Sequence, residues 1–139
     1  MGMPVRIACV QYLNTVPLIE GLERLADIEL VRTVPSRIAG LVERGEADIG
    51  LASLIDAARA EGRLVLLPAG MIGCDGPTLT VRLFSEVPIK RVTTVHADTD
   101  SHTSVALCRI VLDRLHGLRP DIMDFDASED TLGSPPLRG

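Results

Sequence analysis

Apolar and polar positions along the chain switch repeatedly between two periods. Val5 to Val10 is an apolar run of strand length, and Pro17 to Arg24 reads as the helix that follows it. Ile28 to Val34 alternates apolar and polar residues and predicts a second strand. Pro35-Ser36 then opens a helix through Arg44, with Ile38, Leu41 and Val42 at helical spacing and Gly45 as its stop. Ala47 to Ala52 predicts a third strand, in which Gly50 allows close packing. Ser53 to Glu61 predicts a third helix, with Ser53 as N-cap and Gly62 as stop. Leu64 to Leu67, Gly70 to Gly73, Leu79 to Ser85 and Val92 to His96 read as further strands, with Asp75-Gly76-Pro77 as a turn and Pro88 at an edge. Asp100 to His116 predicts a long helix, with Val105, Leu107, Cys108, Val111, Leu112 and Leu115 as its buried stripe. Gly117 and Pro120 end it, and Asp121 to Phe125 fits one more strand. Residues 127–139 carry no apolar periodicity and are expected to be disordered. Strands alternating with helices imply an α/β fold with a parallel-rich sheet and right-handed crossovers.

Composition narrows the function. The 139 residues, 46% of them hydrophobic, suffice for a real core. Net charge is −5, with acids and bases interspersed, and Tyr12, Phe84 and Phe125 are the whole aromatic set. A nucleic-acid partner has neither a basic stripe nor a stacking platform here. No apolar run approaches the roughly 20 residues of a membrane span. Cys9, Cys74 and Cys108 are odd in number and widely spaced, which speaks against a disulfide or metal framework. With no secretory signal visible, a reduced, cytoplasmic setting is expected. His96, His102 and His116 share no metal-ligand spacing. No G-x-G-x-x-G follows the first strand, and neither a P-loop nor a G-x-S-x-G elbow occurs. Asp48 and Asp56 fall on different elements and make no acid–base pair.

Three loops carry candidate chemistry. Tyr12, Asn14 and Thr15 lie where the first strand gives way to a helix, the edge at which open α/β sheets bind ligands. An amide and a hydroxyl there suit a small polar molecule, and equally suit a helix cap. Asp98-Thr99-Asp100-Ser101-His102-Thr103-Ser104 precedes the long helix. There backbone N–H groups, the helix dipole and added hydroxyls form a cradle for a carboxylate or phosphate, or an ordinary cap. Gly73 to Thr78, with Cys74 and Gly76, is a turn on either reading.

Tyr12-Leu13-Asn14-Thr15-x-Pro17-Leu18, Pro35-Ser36-Arg37, Gly45-Glu46-Ala47-Asp48-Ile49-Gly50-Leu51, Asp75-Gly76-Pro77 and Asp98-Thr99-x-Ser101-x-Thr103-Ser104-Val105-Ala106-Leu107 occur in one order. In that order the chain resembles the chorismate dehydratases of the futalosine route to menaquinone, from about Val5 to Pro120. Dihydroxynaphthoate synthases are similar too, but less so over Tyr12 to Leu18. The resemblance implies a type II periplasmic-binding-protein-like fold of two α/β lobes with a cleft between them. Residues 1–87 would form a nearly complete first lobe, and 88–126 a partial second lobe that leaves an apolar face and a sheet edge exposed. It implies a cytoplasmic hydro-lyase that removes water from chorismate, giving 3-(1-carboxyvinyloxy)benzoate, without metal or organic cofactor. The partner is then a small dicarboxylate, with self-association through the exposed second-lobe surface. Asn14 is the expected catalytic amide. Tyr12, Thr15, Ser53, Cys74, Gly76, Thr99, Ser101, His102, Thr103 and Ser104 are the expected substrate contacts.

The chain departs from the family at two of these positions. His102 stands where arginine is usual, exchanging a permanent forked cation for an imidazole. Cys74 stands where serine is usual, exchanging a good hydrogen-bonding hydroxyl for a weak one. The family's chains are also longer and continue beyond the long helix. A carboxylate-binding module without catalysis is the alternative reading, and an interaction-only remnant a third.

Overall fold

The first strand, β1 (Val5–Val10), has its last four residues buried, from Ile7 to Val10. A strand covered on both faces carries apolar residues without alternation, as this one does. The computed structural model describes residues 2–78 and 81–125. Its elements run β1, α1 (Val16–Ile19), β2 (Ile28–Thr33), α2 (Pro35–Glu43), β3 (Ile49–Gly50), α3 (Leu54–Arg59), β4 (Thr94–Asp98), α4 (His102–His116) and β5 (Asp121–Phe125), with short 3₁₀ turns at Leu13–Thr15, Leu22–Arg24 and Ile89–Arg91. The chain divides into two compact units, residues 1–80 and 81–139.

In the first unit β1 lies between β2 and β3, and both pairings are parallel. Order 2-1-3 means that the chain leaves β1 in one direction and returns past it in the other. The loops after β1 and β3 therefore diverge at the same sheet edge, the arrangement that opens a crevice in doubly wound sheets. Helix α2 covers one face of the sheet. Its buried Ile38 joins Ala8, Val10 and Ala47 in the core, with Val31, Leu41 and Val42 packed around them. Side-chain alternation turns Ile7 and Cys9 to the opposite face. Gly50 is small because α2 passes over it. A Cβ there would meet Ile38 Cγ2 at 2.6 Å and Val42 Cγ2 at 3.0 Å.

The second unit holds a parallel pair, β4–β5, in register from Thr94↔Asp121 to Asp98↔Phe125. Helix α4 connects the two strands. It ends where Gly117 turns at φ +65° and Leu118 N–H reaches Leu112 O at 3.0 Å, the left-handed close for which glycine is suited.

Several expectations are corrected. The helix expected over Pro17 to Arg24 is broken into α1 and a 3₁₀ turn, because Gly21 adopts φ +85°. The third strand is two residues long rather than six. Bonds from Asp48 N–H to Arg6 O (2.8 Å) and Leu51 N–H to Ala8 O (2.9 Å) extend its ladder at both ends. Leu64 to Leu67 and Gly70 to Gly73 form no strand, and neither do residues 81–85. An apolar run becomes a strand only against a partner edge, and these runs lie between Pro68, Gly70, Gly73, Gly76 and Pro77 without one. Val65, Leu66, Leu67, Leu83 and Phe84 are accordingly exposed. The stripe expected on α4 is buried only at Leu112; Val105 and Cys108 are half-buried, and Leu107, Val111 and Leu115 are exposed. Leu79 to Thr80 and the tail 127–139 lie outside the described residues.

Candidate functional site

Gln11 carries the chain out of β1, and Tyr12 is extended at φ −82°, ψ 149°. A single 3₁₀ turn then closes through Thr15 N–H to Tyr12 O at 3.0 Å. This turn decides which side chains face solvent. Tyr12 is half exposed, Asn14 is exposed and Thr15 is completely buried. The Thr15 hydroxyl lies 3.5 Å from Asn14 Oδ1, at the outer limit of a hydrogen bond. Thr15 thus braces the turn from beneath while Asn14 stands at its crest.

The loop after β3 arrives at the same edge. Ala8 pairs with Gly50, and Leu51 N–H bonds Ala8 O at 2.9 Å before the chain leaves the sheet toward Ser53. Ser53 is the half-buried N-cap of α3, with extended backbone at φ −66°, ψ 139°. Its carbonyl receives Asp56 N–H at 3.0 Å and Ala57 N–H at 3.3 Å. Asp56, three residues on, is a buried carboxylate in the first turn of α3. Its burial is not visible in the sequence; the Ser53-x-x-Asp56 spacing signals only a capped helix start. The other acid considered, Asp48, is not available for proton transfer. Arg6 grips it through Nη2 to Oδ1 (3.0 Å) and through Nε to Oδ2 (3.2 Å), and the Arg6 backbone N–H reaches Oδ2 at 2.8 Å. These hydrogen bonds hold the Asp48 carboxyl below its ordinary range.

Cys74 and Gly76 form a turn in an exposed stretch of the first unit. Gly76 sits at φ +113°, and the Cys74 thiol reaches Gly76 O at 3.3 Å, a bond that stays within the turn. Burial is the leading cause that raises the thiols of Cys9 and Cys108, as expected of core residues rather than nucleophiles.

In the second unit Thr99, Ser101, His102, Thr103 and Ser104 are brought together by two turns. Asp98 Oδ1 accepts Asp100 N–H at 2.9 Å, and Asp98 O accepts Ser101 N–H at 3.3 Å. Thr99 N–H bonds Phe125 O at 3.0 Å, tying the loop to the end of β5. Ser101 is the N-cap of α4, yet its hydroxyl lies 2.6 Å from that of Ser104 and makes no bond to the helix N–H groups. His102 and Ser104 are half-buried and Thr103 is exposed. The dipole of a 15-residue helix favours an anion at this end; Asp98 and Asp100 oppose one. A separate groove of about 490 Å³ lies at the other end of α4, between Arg109, Asp113, Arg119 and Ile122, away from these hydroxyls.

Comparison with known proteins gives the family of the chain. Residues 5–133 match the family described as menaquinone biosynthesis. The chain belongs to the menaquinone biosynthesis family. Over 109 residues it is 29% identical to the chorismate dehydratase of Thermus thermophilus, a match covering 78% of this chain and 40% of that relative. This member of the family therefore spans about two fifths of the length of the relative it matches. The family segments recognised in the sequence include both the Tyr12–Thr15 turn and the hydroxyl-lined start of α4.

Proposed function

We propose that this chain provides substrate-binding and catalytic groups for chorismate dehydration, yielding 3-(1-carboxyvinyloxy)benzoate and water in futalosine-route menaquinone synthesis. The exposed amide of Asn14 at the end of the central strand, in a chain of the menaquinone biosynthesis family, carries the reading. We further propose the type II periplasmic-binding-protein-like fold, with residues 1–87 as one α/β lobe and 88–126 as part of the other, and a cytoplasmic setting. The parallel 2-1-3 sheet supports that fold.

Chorismate is a dianion, and losing water makes its ring aromatic. The driving force therefore lies in the substrate, and the protein has to orient it and stabilise developing charge. Asn14 orients the reacting part of the ring from the switch-point edge, flanked by Tyr12 and Ser53. Thr15 acts through Asn14, since its own side chain is buried. Thr99, Ser101, His102, Thr103 and Ser104 offer hydroxyl, imidazole and backbone donors suited to a carboxylate. Cys74 and Gly76 contribute a weaker polar edge. Metal and organic cofactor have no part in this reading.

Calorimetric titration with chorismate tests the binding half of the proposal. Saturable binding, weakened about tenfold by Ser104→Ala, the loss of about one hydrogen bond to a charged group, is the expected result. Chorismate binding that is undetectable at millimolar concentration to the folded chain counts against it.

A further inference from the structure

The groove at the far end of α4 has the helix as one wall and the segment that follows it as the other. Gly117 N–H and Leu118 N–H close onto Asp113 O and Leu112 O, both at 3.0 Å, so that residues 118–122 return along the helix flank. The space between the walls, about 490 Å³, is of the size that takes small organic molecules, roughly 300–1,000 Å³. Helix residues are about 100° apart around the axis, so Arg109, Asp113, Ile110 and Arg114 follow one another over about 140° of one flank. Arg109 and Arg114 form its two rims. Ile110 lies between them, and Leu118, Pro120 and Ile122 line the opposite wall. Three guanidiniums, of Arg109, Arg114 and Arg119, share the groove with two carboxylates, of Asp113 and Asp121. Arg119 Nε holds Asp113 Oδ1 at 2.8 Å. That hydrogen bond, with the charges of Arg119 and Arg114, keeps the Asp113 carboxyl below its ordinary range. Arg109 and Arg114 make no ion pair among the described residues. The helix dipole accounts for Arg114 and His116 in the last turn of α4. It does not account for Arg109, two turns before the end.

We infer that this groove binds a small monocarboxylate with an aliphatic body, its headgroup between Arg109 and Arg114 and its body against Ile110, Leu118 and Ile122. The two arginines are about 7.5 Å apart along the helix axis, a span that two long side chains close around one carboxylate. Guanidinium forks match carboxylate oxygens and form charge-assisted hydrogen bonds with them. The groove's excess of one positive charge matches one negative headgroup, whereas a phosphate dianion reverses it. The wall residues are aliphatic, so an alkyl body is buried there and an aromatic ring has nothing to stack on. The groove is at the opposite end of α4 from the Ser101 and Ser104 hydroxyls, and the inference does not depend on which reaction, if any, the chain catalyses.

Titrating hexanoate into the isotope-labelled full chain, with backbone amide and arginine Nε–H signals followed by NMR, tests this directly. The expected result is saturable binding with shifts centred on Arg109, Arg114 and residues 118–122. Acetate, the same headgroup without the body, binds about tenfold more weakly. Arg109→Gln and Arg114→Gln each weaken hexanoate binding about tenfold, the loss of a hydrogen bond to a charged group. Both side chains are on exposed residues, so far-ultraviolet circular dichroism stays unchanged. Asp113→Asn frees Arg119 for the ligand and tightens binding about threefold, the scale of one exposed ion pair. Shifts that fail to saturate overturn the inference, as do shifts that the double variant Arg109→Gln/Arg114→Gln retains. Shifts centred instead on Ser101 to Ser104 place the anion at the other end of the helix and overturn it too. Acetate or inorganic phosphate binding as tightly as hexanoate overturns the assigned ligand class.

Discussion

Asp48 and Asp56 flank β3 on opposite sides, Asp48 just before it and Asp56 in the helix that follows, and they have different surroundings. Asp48 is clasped by Arg6 and joins β3 to β1, so its role is structural. Its carboxyl is held down first by the Arg6 side-chain hydrogen bond and then by the Arg6 backbone. A depressed carboxylate stabilises the fold above its unfolded value, near 3.8, and that stability is lost as pH falls through the lower folded value. Asp48→Asn should therefore lower the urea midpoint at pH 7, with the deficit closing as pH drops below about 4. A deficit that persists undiminished at pH 2 would contradict the ion-pair account. Asp113, depressed by Arg119, titrates in the same direction, so the variant keeps part of the acid sensitivity. Tyr12 and Asn14 were legible as loop residues from the strand–turn–helix pattern alone. The complete burial of Thr15 was not, because a 3₁₀ turn of one step decides which hydroxyl faces inward.

Local periodicity read elements correctly wherever a partner was also local. β1, β2 and α2 pack on one another within some 40 residues and match the expected spans within a residue or two. The close packing expected at Gly50 is borne out, since any Cβ there would come within 2.6 Å of Ile38 Cγ2. Gly50→Ala is expected to cost about 1–3 kcal/mol by overpacking α2 against β3, measured by urea denaturation. Unchanged stability would mean that α2 is not seated on that strand. The strands that did not form are Leu64 to Leu67, Gly70 to Gly73 and residues 81–85. Their composition favours strand, but strand formation needs an edge to pair with, and composition does not say whether one is present. The α4 stripe failed for a related reason. Helical spacing located apolar positions correctly but not which side has a neighbour.

At the scale of the whole molecule, the family was legible from short segments whose order is preserved along the chain, and the match over residues 5–133 agrees with it. The parallel 2-1-3 sheet, its switch-point edge and the hydroxyl-rich start of α4 are present within a span of about two fifths of the Thermus relative. Each unit offers groups suited to a dicarboxylate. Neither holds an arginine among the expected contacts; His102 stands at the start of α4. Incubating the chain with chorismate and following the product by liquid chromatography–mass spectrometry tests the central claim most directly. The account expects an ion lighter by one water to accumulate above a protein-free control. Asn14→Ala, folded as judged by circular dichroism, should lose about 10²-fold or more of that rate, the scale of removing one positioned donor. Product formation equal in wild type and Asn14→Ala, or no more than in the protein-free control, would contradict it.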